Sequence, residues 1–232
     1  MTDRDVPALD DPVGGSLGGR HAHLARRLGR AVSFQPEVAS FSAVSSDPDA
    51  AEWNDLAKLL GPGELADLFS APATPPRDWE LVFGMAGRQL VWSGAVPAER
   101  EEAGPAVVEL GPHDVPEMLD LVARTQPGPF RQRTRELGTY LGIREHGELV
   151  AMAGERLRPP GWTEISAVCT APEARGRGYA ARLITAVAAR VTARGERPFL
   201  HVAEANTGAL ALYERLGFTT RKRVTFRGFR VP

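Results

Sequence analysis

Apolar positions recur at helical spacing in four stretches of the chain. Over residues 48–60, Trp53, Leu56 and Leu60 share one stripe. Asp47 stands where an N-cap would, and Gly61-Pro-Gly63 ends the run. Over residues 113–122, Val115, Met118, Leu119 and Val122 face one way. Over residues 180–194, Leu183, Ile184, Val187 and Val191 do the same, with Gly195 as a C′ residue. Residues 206–216 carry Leu210, Leu212 and Leu216, with Gly217 behind them. Two weaker helical signals lie at 21–28 (Leu24 and Leu28 on one side) and 64–69.

Elsewhere the pattern predicts strands. Residues 34–44 are strand-like but broken by Pro36. Residues 79–85 and 89–92 suggest a hairpin about Ala86-Gly87. A strand over 106–110 opens the second half, and 140–144 and 149–154 form a hairpin turning at His146-Gly147. Further strands are expected at 162–170 and 198–203. From Thr220, Val224 and Phe226 alternate with basic residues, as in a final edge strand with its basic face in water. The predicted class is α/β (α+β). Residues 1–30 look peripheral, 31–100 form a small α/β unit, 97–105 link, and 106–232 form a larger domain.

Composition narrows the function. The chain has 232 residues, 43% of them hydrophobic, enough for a sizeable core. A net charge of −1 provides no global field for nucleic acid or membrane, and neither is expected as a partner. The single Cys169 excludes an internal disulfide and suits a reducing, cytoplasmic setting. Met1-Thr-Asp-Arg-Asp5 lacks the features of a signal peptide. His21-x-His23 has the spacing of neither a helical metal pair nor a wider ligand set, so no metal is expected.

The candidate chemistry centres on residues 168–180. A strand is ended by Pro172, a loop holds Arg175-Gly-Arg-Gly178, and a helix begins. A helix start offers free N–H groups and partial positive charge, and glycines let an anion approach the backbone. This arrangement suits a phosphate or pyrophosphate. It lacks the Gly-Lys-Ser/Thr of a Walker loop and completes no Rossmann fingerprint.

Downstream lies a second motif. Arg175, Gly178 and Ala180 match Arg/Gln-x-x-Gly-x-Gly/Ala; Asn206, Ala209, Tyr213, Gly217 and Phe218 match Asn-x-x-Ala-x-x-x-Tyr-x-x-x-Gly-Phe. In this order and separation they make the C-terminal half resemble the GCN5-related N-acetyltransferase (GNAT) superfamily, with wording closest to its FR47-like branch. The resemblance implies a mixed, mostly antiparallel sheet splayed at the coenzyme A site, with a smaller and degenerate N-terminal half. It also implies acetyl-CoA as co-substrate. The pantetheine arm would bond main chain at Val168, Cys169 and Thr170. The pyrophosphate would take the N–H groups of Arg175, Gly176, Arg177, Gly178, Tyr179 and Ala180. Asn206 would cap its helix and bond the pantetheine.

The implied activity is acyl transfer to an amine of a small molecule, amino acid or peptide, by a monomer or homodimer. Protein acetylation and acyl-CoA sensing are the competing readings. Catalytic candidates are Tyr213 as general acid, Glu164 as base directly or through water, and His201 as rival base. Tyr213 qualifies because a phenol near pKa ~10 keeps its proton beside a thiol near ~8.5. Arg131, Arg133 and Arg135 crowd a loop that overhangs the acceptor site in this fold, where they would suit a carboxylate; a solvated basic turn is the plainer role. Met85 and Trp92 are expected in the core.

Overall fold

The structure, a computed structural model, describes residues 7–93 and 104–232. Most of the expected 97–105 linker, and the first six residues, lie outside that range.

After a single 3-10 turn (Pro7–Leu9), the described residues form a short helix, α1 (Pro12–Gly18), capped by Asp11, whose side chain accepts from the Gly14 N–H. Strands β1 (Ala25–Leu28), β2 (Ala31–Phe34) and β3 (Ser42–Ala43) form a small antiparallel sheet. The expected helix over 21–28 is therefore a single turn followed by a strand. The pairing of Ala25 with Phe34 and of Leu28 with Ala31 overrides a weak local preference. Residues 7–30 are also less peripheral than their turn-rich composition suggested. Leu9, Val13, Leu17 and Leu24 are buried and pack in one core with Val91, Leu157, Trp162 and Phe199.

Helix α2 (Ala50–Leu60) follows, and Trp53, Leu56 and Leu59 are buried on its inner face. Its N-cap is Asp49, not Asp47: Asp49 Oδ1 accepts from Glu52 N–H at 2.9 Å. Next comes β4 (Leu65–Phe69), where a helical turn was expected; its antiparallel pairing with the end of the chain decides the matter.

Strand β5 (Glu80–Trp92) corrects the predicted hairpin. Ala86-Gly87 is no turn: the strand runs straight through it, hydrogen-bonded to β11 along its length and to β10 over its second half. Gly87 is needed for another reason. A Cβ there would overlap the Phe226 ring.

The second half supplies β6 (Val107–Glu109), α3 (Val115–Thr125), the hairpin β7 (Tyr140–Glu145) and β8 (Glu148–Glu155), β9 (Trp162–Thr170), α4 (Tyr179–Ala193), β10 (Arg197–Ala203), α5 (Thr207–Arg215) and β11 (Phe218–Arg230). Among the described residues the large sheet has eight strands in the order β4-β11-β5-β10-β9-β8-β7-β6. All its pairs are antiparallel except β10 with β9. The last strand, expected at an edge, instead lies inside the sheet between β4 and β5. Its alternation is real, with Val224 and Phe226 buried; β5 pairs along its length, and β4 pairs its last four residues, Arg227 to Arg230.

Two features of the sheet shape the site. Parallel pairing of β9 with β10 stops at Glu164 opposite Phe199, although β9 continues to Thr170 and β10 to Ala203. Beyond that point the two strands part. On the other side of β9 the register with β8 shifts, and Ala167 takes a left-handed φ of 52°. This is a bulge, which adds a residue and bends its strand. Helix α4 packs against β8, β9 and β10, burying Leu183, Ile184, Val187 and Val191 as their spacing required.

Candidate active site

A cleft of about 560 Å³ opens where β9 and β10 part. The bulged segment Ser166, Ala167 and Val168 forms one wall, and Val202 and Ala203 of β10 form the other. Residues 125–129, after α3, overhang it.

One end of the cleft is lined by Thr170, Arg175, Ala180 and Asn206. Gly176 and Gly178 both have φ 79°, a conformation glycine adopts without cost, and no atom stands within 4 Å of where a Cβ would be. Gly178 is the N-cap of α4 and has no side chain to satisfy the first N–H groups of that helix. The loop thus presents uncovered donors, as an anion site needs. Its two arginines differ. Arg175 lines the cleft and donates from Nε to the Thr170 carbonyl at 3.3 Å. Arg177 points away and holds Glu145 through Nη1 at 2.7 and 2.6 Å, and the Tyr179 hydroxyl donates to the same carboxylate. Gly176, Arg177, Gly178 and Tyr179 do not line the cleft itself; Val168, Cys169, Thr170, Arg175, Ala180 and Asn206 do. Asn206 caps α5, its Oδ1 accepting from Ala209 N–H at 3.1 Å.

Tyr213 reaches the cleft from α5. It is 8% exposed and stands edge-on to Phe218 at 5.9 Å between centroids. Burial pushes its phenol up to about 12, so it carries a proton at any ordinary pH. Cys169 also lines the cleft, but burial raises its thiol to about 11 and leaves it a poor nucleophile.

Glu164 stands on the last paired rung of β9 and β10, opposite Phe199, and His201 lies two residues further along β10. Glu164 is fully buried and does not line the cleft. Arg156 grips it in a fork, Nε to Oε2 at 2.8 Å and Nη2 to Oε1 at 2.7 Å. The His201 Nδ1–H donates to Oε1 at 2.7 Å. That bond assigns the tautomer, leaving Nε2 to accept from the Gln89 amide at 3.2 Å. Burial alone would raise the Glu164 pKa, but the charge and hydrogen bonds of Arg156, aided by His201, bring it down to about 2. Burial lowers the proton affinity of His201 despite its carboxylate partner.

The far end of the cleft was the least legible in the sequence. Arg156 and His201 reach it from the buried network. Asp67 of β4 lines it as well, beside Phe69, and Phe41, Phe83, Met85 and Phe226 complete an apolar wall. Phe69 and Phe226 stack at 5.0 Å, and Phe41 stands 4.7 Å from Phe69. The Arg156 guanidinium lies over Phe41 and Phe69 at 4.9 and 5.0 Å. Met85, expected in the core, is 46% exposed and touches the cleft; Trp92 does not line it.

Other expected sites fall away from the cleft. Arg131 donates to the Pro36 carbonyl, and Arg133 to Gln35 and Glu136, so they tie the loop to the N-terminal region and line no pocket wall. His21 is buried with both ring nitrogens in use, Nδ1 with the Ser16 hydroxyl at 2.7 Å and Nε2 with the Leu137 carbonyl at 2.9 Å. Burial lowers its pKa to about 4. Among the described residues no helix is long and apolar enough to cross a membrane.

A mixed sheet that parts beside a glycine-rich helix start, with a buried tyrosine on the next helix, defines an acyl-CoA-dependent N-acyltransferase fold. Comparison with known proteins agrees. Residues 140–227 match the family model described as FR47-like protein. A GNAT-family protein of known structure from Novosphingobium aromaticivorans, described as a candidate acetyltransferase, is 39% identical. That match covers 97% of this chain and 99% of the other, with a TM-score of 0.87. A GCN5-related N-acetyltransferase from Kribbella flavida shares the fold at 17% identity and a TM-score of 0.65, over 100% of this chain and 96% of its own. No curated protein matches the chain. The chain belongs to the GNAT family and is an N-acetyltransferase of that family.

Proposed function

We propose that this protein transfers an acetyl group from acetyl-CoA to the amine of a small molecule. The observation that carries the reading is the parting of β9 and β10 beyond Glu164 and Phe199. It leaves Val168, Cys169 and Thr170 without a β10 partner, as an extended pantetheine arm would need, with the Thr170 carbonyl held meanwhile by Arg175. The uncovered N–H groups at the start of α4 would take the pyrophosphate, with Arg175 as the nearer charge. Acetyl-CoA supplies the activated acyl carbon. In this reading Arg177, held by Glu145, orders the loop and leaves phosphate binding to the backbone.

Three tasks remain for the side chains: to release a proton from the amine, to stabilise the developing oxyanion, and to protonate the departing sulfur. Tyr213 performs the last, because its hydroxyl keeps its proton and lines the cleft. Glu164 is a poor direct base. Both oxygens are taken, and a carboxylate near 2 has little affinity for a proton. His201 has no free lone pair while Gln89 donates to it. We assign these two the task of holding Arg156 against the acceptor end, and the amine proton leaves through water.

The test is Tyr213→Phe, which keeps the ring. Single-turnover thiol release at saturating acetyl-CoA should fall about 10²- to 10⁴-fold, the usual contribution of a positioned acid. CoA affinity and melting temperature should stay at wild-type values. A variant of full speed removes Tyr213 from the chemistry, and a large fall in melting temperature returns it to the core.

A further inference from the structure

The acceptor end of the cleft holds one buried carboxyl group that no cation pairs among the described residues. Arg156 is neutralised by the two-pronged bond to Glu164. His201 is neutral, since its Nδ1–H serves Glu164 and burial disfavours the cation. Asp67 is left. It is 4% exposed and makes no ion pair among the described residues. Its Oδ2 accepts from the Ser40 hydroxyl at 2.6 Å, and its Oδ1 from the Phe69 N–H at 3.1 Å. Each oxygen keeps acceptor capacity. Burial raises the Asp67 pKa; the bonds from Ser40 and Phe69 and the more distant charges of Arg156 and Arg131 oppose this without cancelling it, so an arriving cation would supply the countercharge that the site lacks. A carboxylate in an aromatic cleft invites a cation with apolar flesh behind it.

On the reading of this cleft as the acetyl-transfer site, we infer that the acceptor is an apolar primary amine without an acidic group, an alkyl or arylalkyl ammonium, docked on Asp67 between Phe41, Phe69, Phe83 and Phe226. The rings bury the carbon skeleton, and Asp67 replaces part of the water the ammonium leaves behind. A carboxylate on the acceptor would meet Asp67 across the same short space. Arg156 offers it weak compensation, because a guanidinium already forked onto Glu164 and covered by two rings has little field left. This assigns a specificity role to Asp67, a residue far in sequence from both acetyltransferase motifs.

The experiment compares 2-phenylethylamine with phenylalanine in thiol release from acetyl-CoA; the two differ only by the carboxylate. Wild-type protein should favour the amine by at least tenfold in kcat/KM, with hexylamine active and glycine inactive. Asp67→Asn should lower kcat/KM for 2-phenylethylamine by about 10- to 100-fold, the worth of a charge-assisted hydrogen bond, and should narrow its preference over phenylalanine. CoA affinity, measured by calorimetric titration, should be unchanged. If Asp67→Asn fails to fold, the wild-type comparison still decides. Equal or better use of phenylalanine overturns the inference, as does CoA binding with no acceptor of either kind consumed. Failure to bind CoA at all would instead overturn the assignment of the cleft.

Discussion

Replacing Glu164 with Gln removes one charge from the buried network and nothing else of comparable size. The structure sets the expected cost. Glu164 is fully buried, and Arg156 with His201 brings its pKa from an ordinary 4.5 to about 2. At 1.36 kcal/mol per pKa unit, that is ~3 kcal/mol of folding stability, in the range found when a buried pair loses one partner. For a chain of this size ~3 kcal/mol lowers the melting temperature by about 6–12 °C. The sign follows from the depressed pKa. The contribution is complete above the unfolded-state value near 4.5 and is lost as pH falls towards the folded-state value near 2. Wild type and Glu164→Gln should therefore be melted side by side from pH 7.5 to pH 3. The variant should start about 6–12 °C lower, and the gap should narrow below pH 4.5, where the carboxyl group of the unfolded wild-type chain begins to take up a proton that the folded protein still refuses. Other carboxylates titrate in both proteins, so the difference isolates Glu164. A gap that stays constant with pH, or no gap at neutral pH, refutes the energetic account. In turnover, a positioning Glu164 predicts a defect that high pH does not rescue; recovery at high pH would restore it as the base.

Two further substitutions probe the CoA end. Arg175→Ala should weaken CoA binding roughly 10-fold or more in a calorimetric titration, because a charged donor to phosphate is worth ~1.5–3 kcal/mol; an unchanged Kd would show that the backbone binds the anion unaided. Asn206→Ala removes the cap that Ala209 N–H uses and should cost about 1 kcal/mol, ~2–4 °C in a thermal melt; wild-type stability would mean the first turn of α5 is held by packing alone.

The parts legible in the sequence are those built from local rules. The helix face of α4 follows from spacing, and that of α2 does so with Leu59 in place of Leu60; α5 instead buries Leu210 and Tyr213, with Leu212 and Leu216 only partly covered, although Asn206 caps where its motif puts it and the His146-Gly147 turn forms with φ values of 51° and 90°. What failed depended on residues far away. Ala86-Gly87 resembles a turn between two apolar runs, yet Gly87 is there to admit a ring from position 226. Residues 64–69 prefer no structure strongly, and pairing with the chain's end makes them a strand. Two signals were present and went unread. Asp67 interrupts the otherwise apolar Leu65-Ala-Asp-Leu-Phe69, and acidic residues are seldom buried without a reason. Arg156 and Glu164 bracket the turn at Pro159-Pro160-Gly161, where opposite charges eight residues apart can meet. Phe41, Phe69 and Phe226 had no local signal, since an aromatic in a strand reads as core whether or not a cleft opens beside it.

This division has a consequence for how the enzyme acquires its acceptor. The family-matching residues 140–227 supply the parted strands, the glycine loop and Tyr213, the parts to which the proposed function gives CoA binding and acid catalysis. Phe41, Asp67, Phe69, Phe83 and Met85, which line the acceptor end, all precede residue 107. They are not an appendage, because β5 lies between β10 and β11 and its Gln89 holds His201 from behind. On the proposed reading, a change in the N-terminal half should therefore alter the acceptor wall while leaving the glycine loop and Tyr213 where they are. The same strand transmits larger changes to the Glu164 network through Gln89. Substitutions at 41, 67, 69 and 83 should thus move KM for the amine separately from Kd for CoA, whereas disturbance of Gln89 should move kcat, since it loosens the histidine that helps hold Glu164 and Arg156 in place.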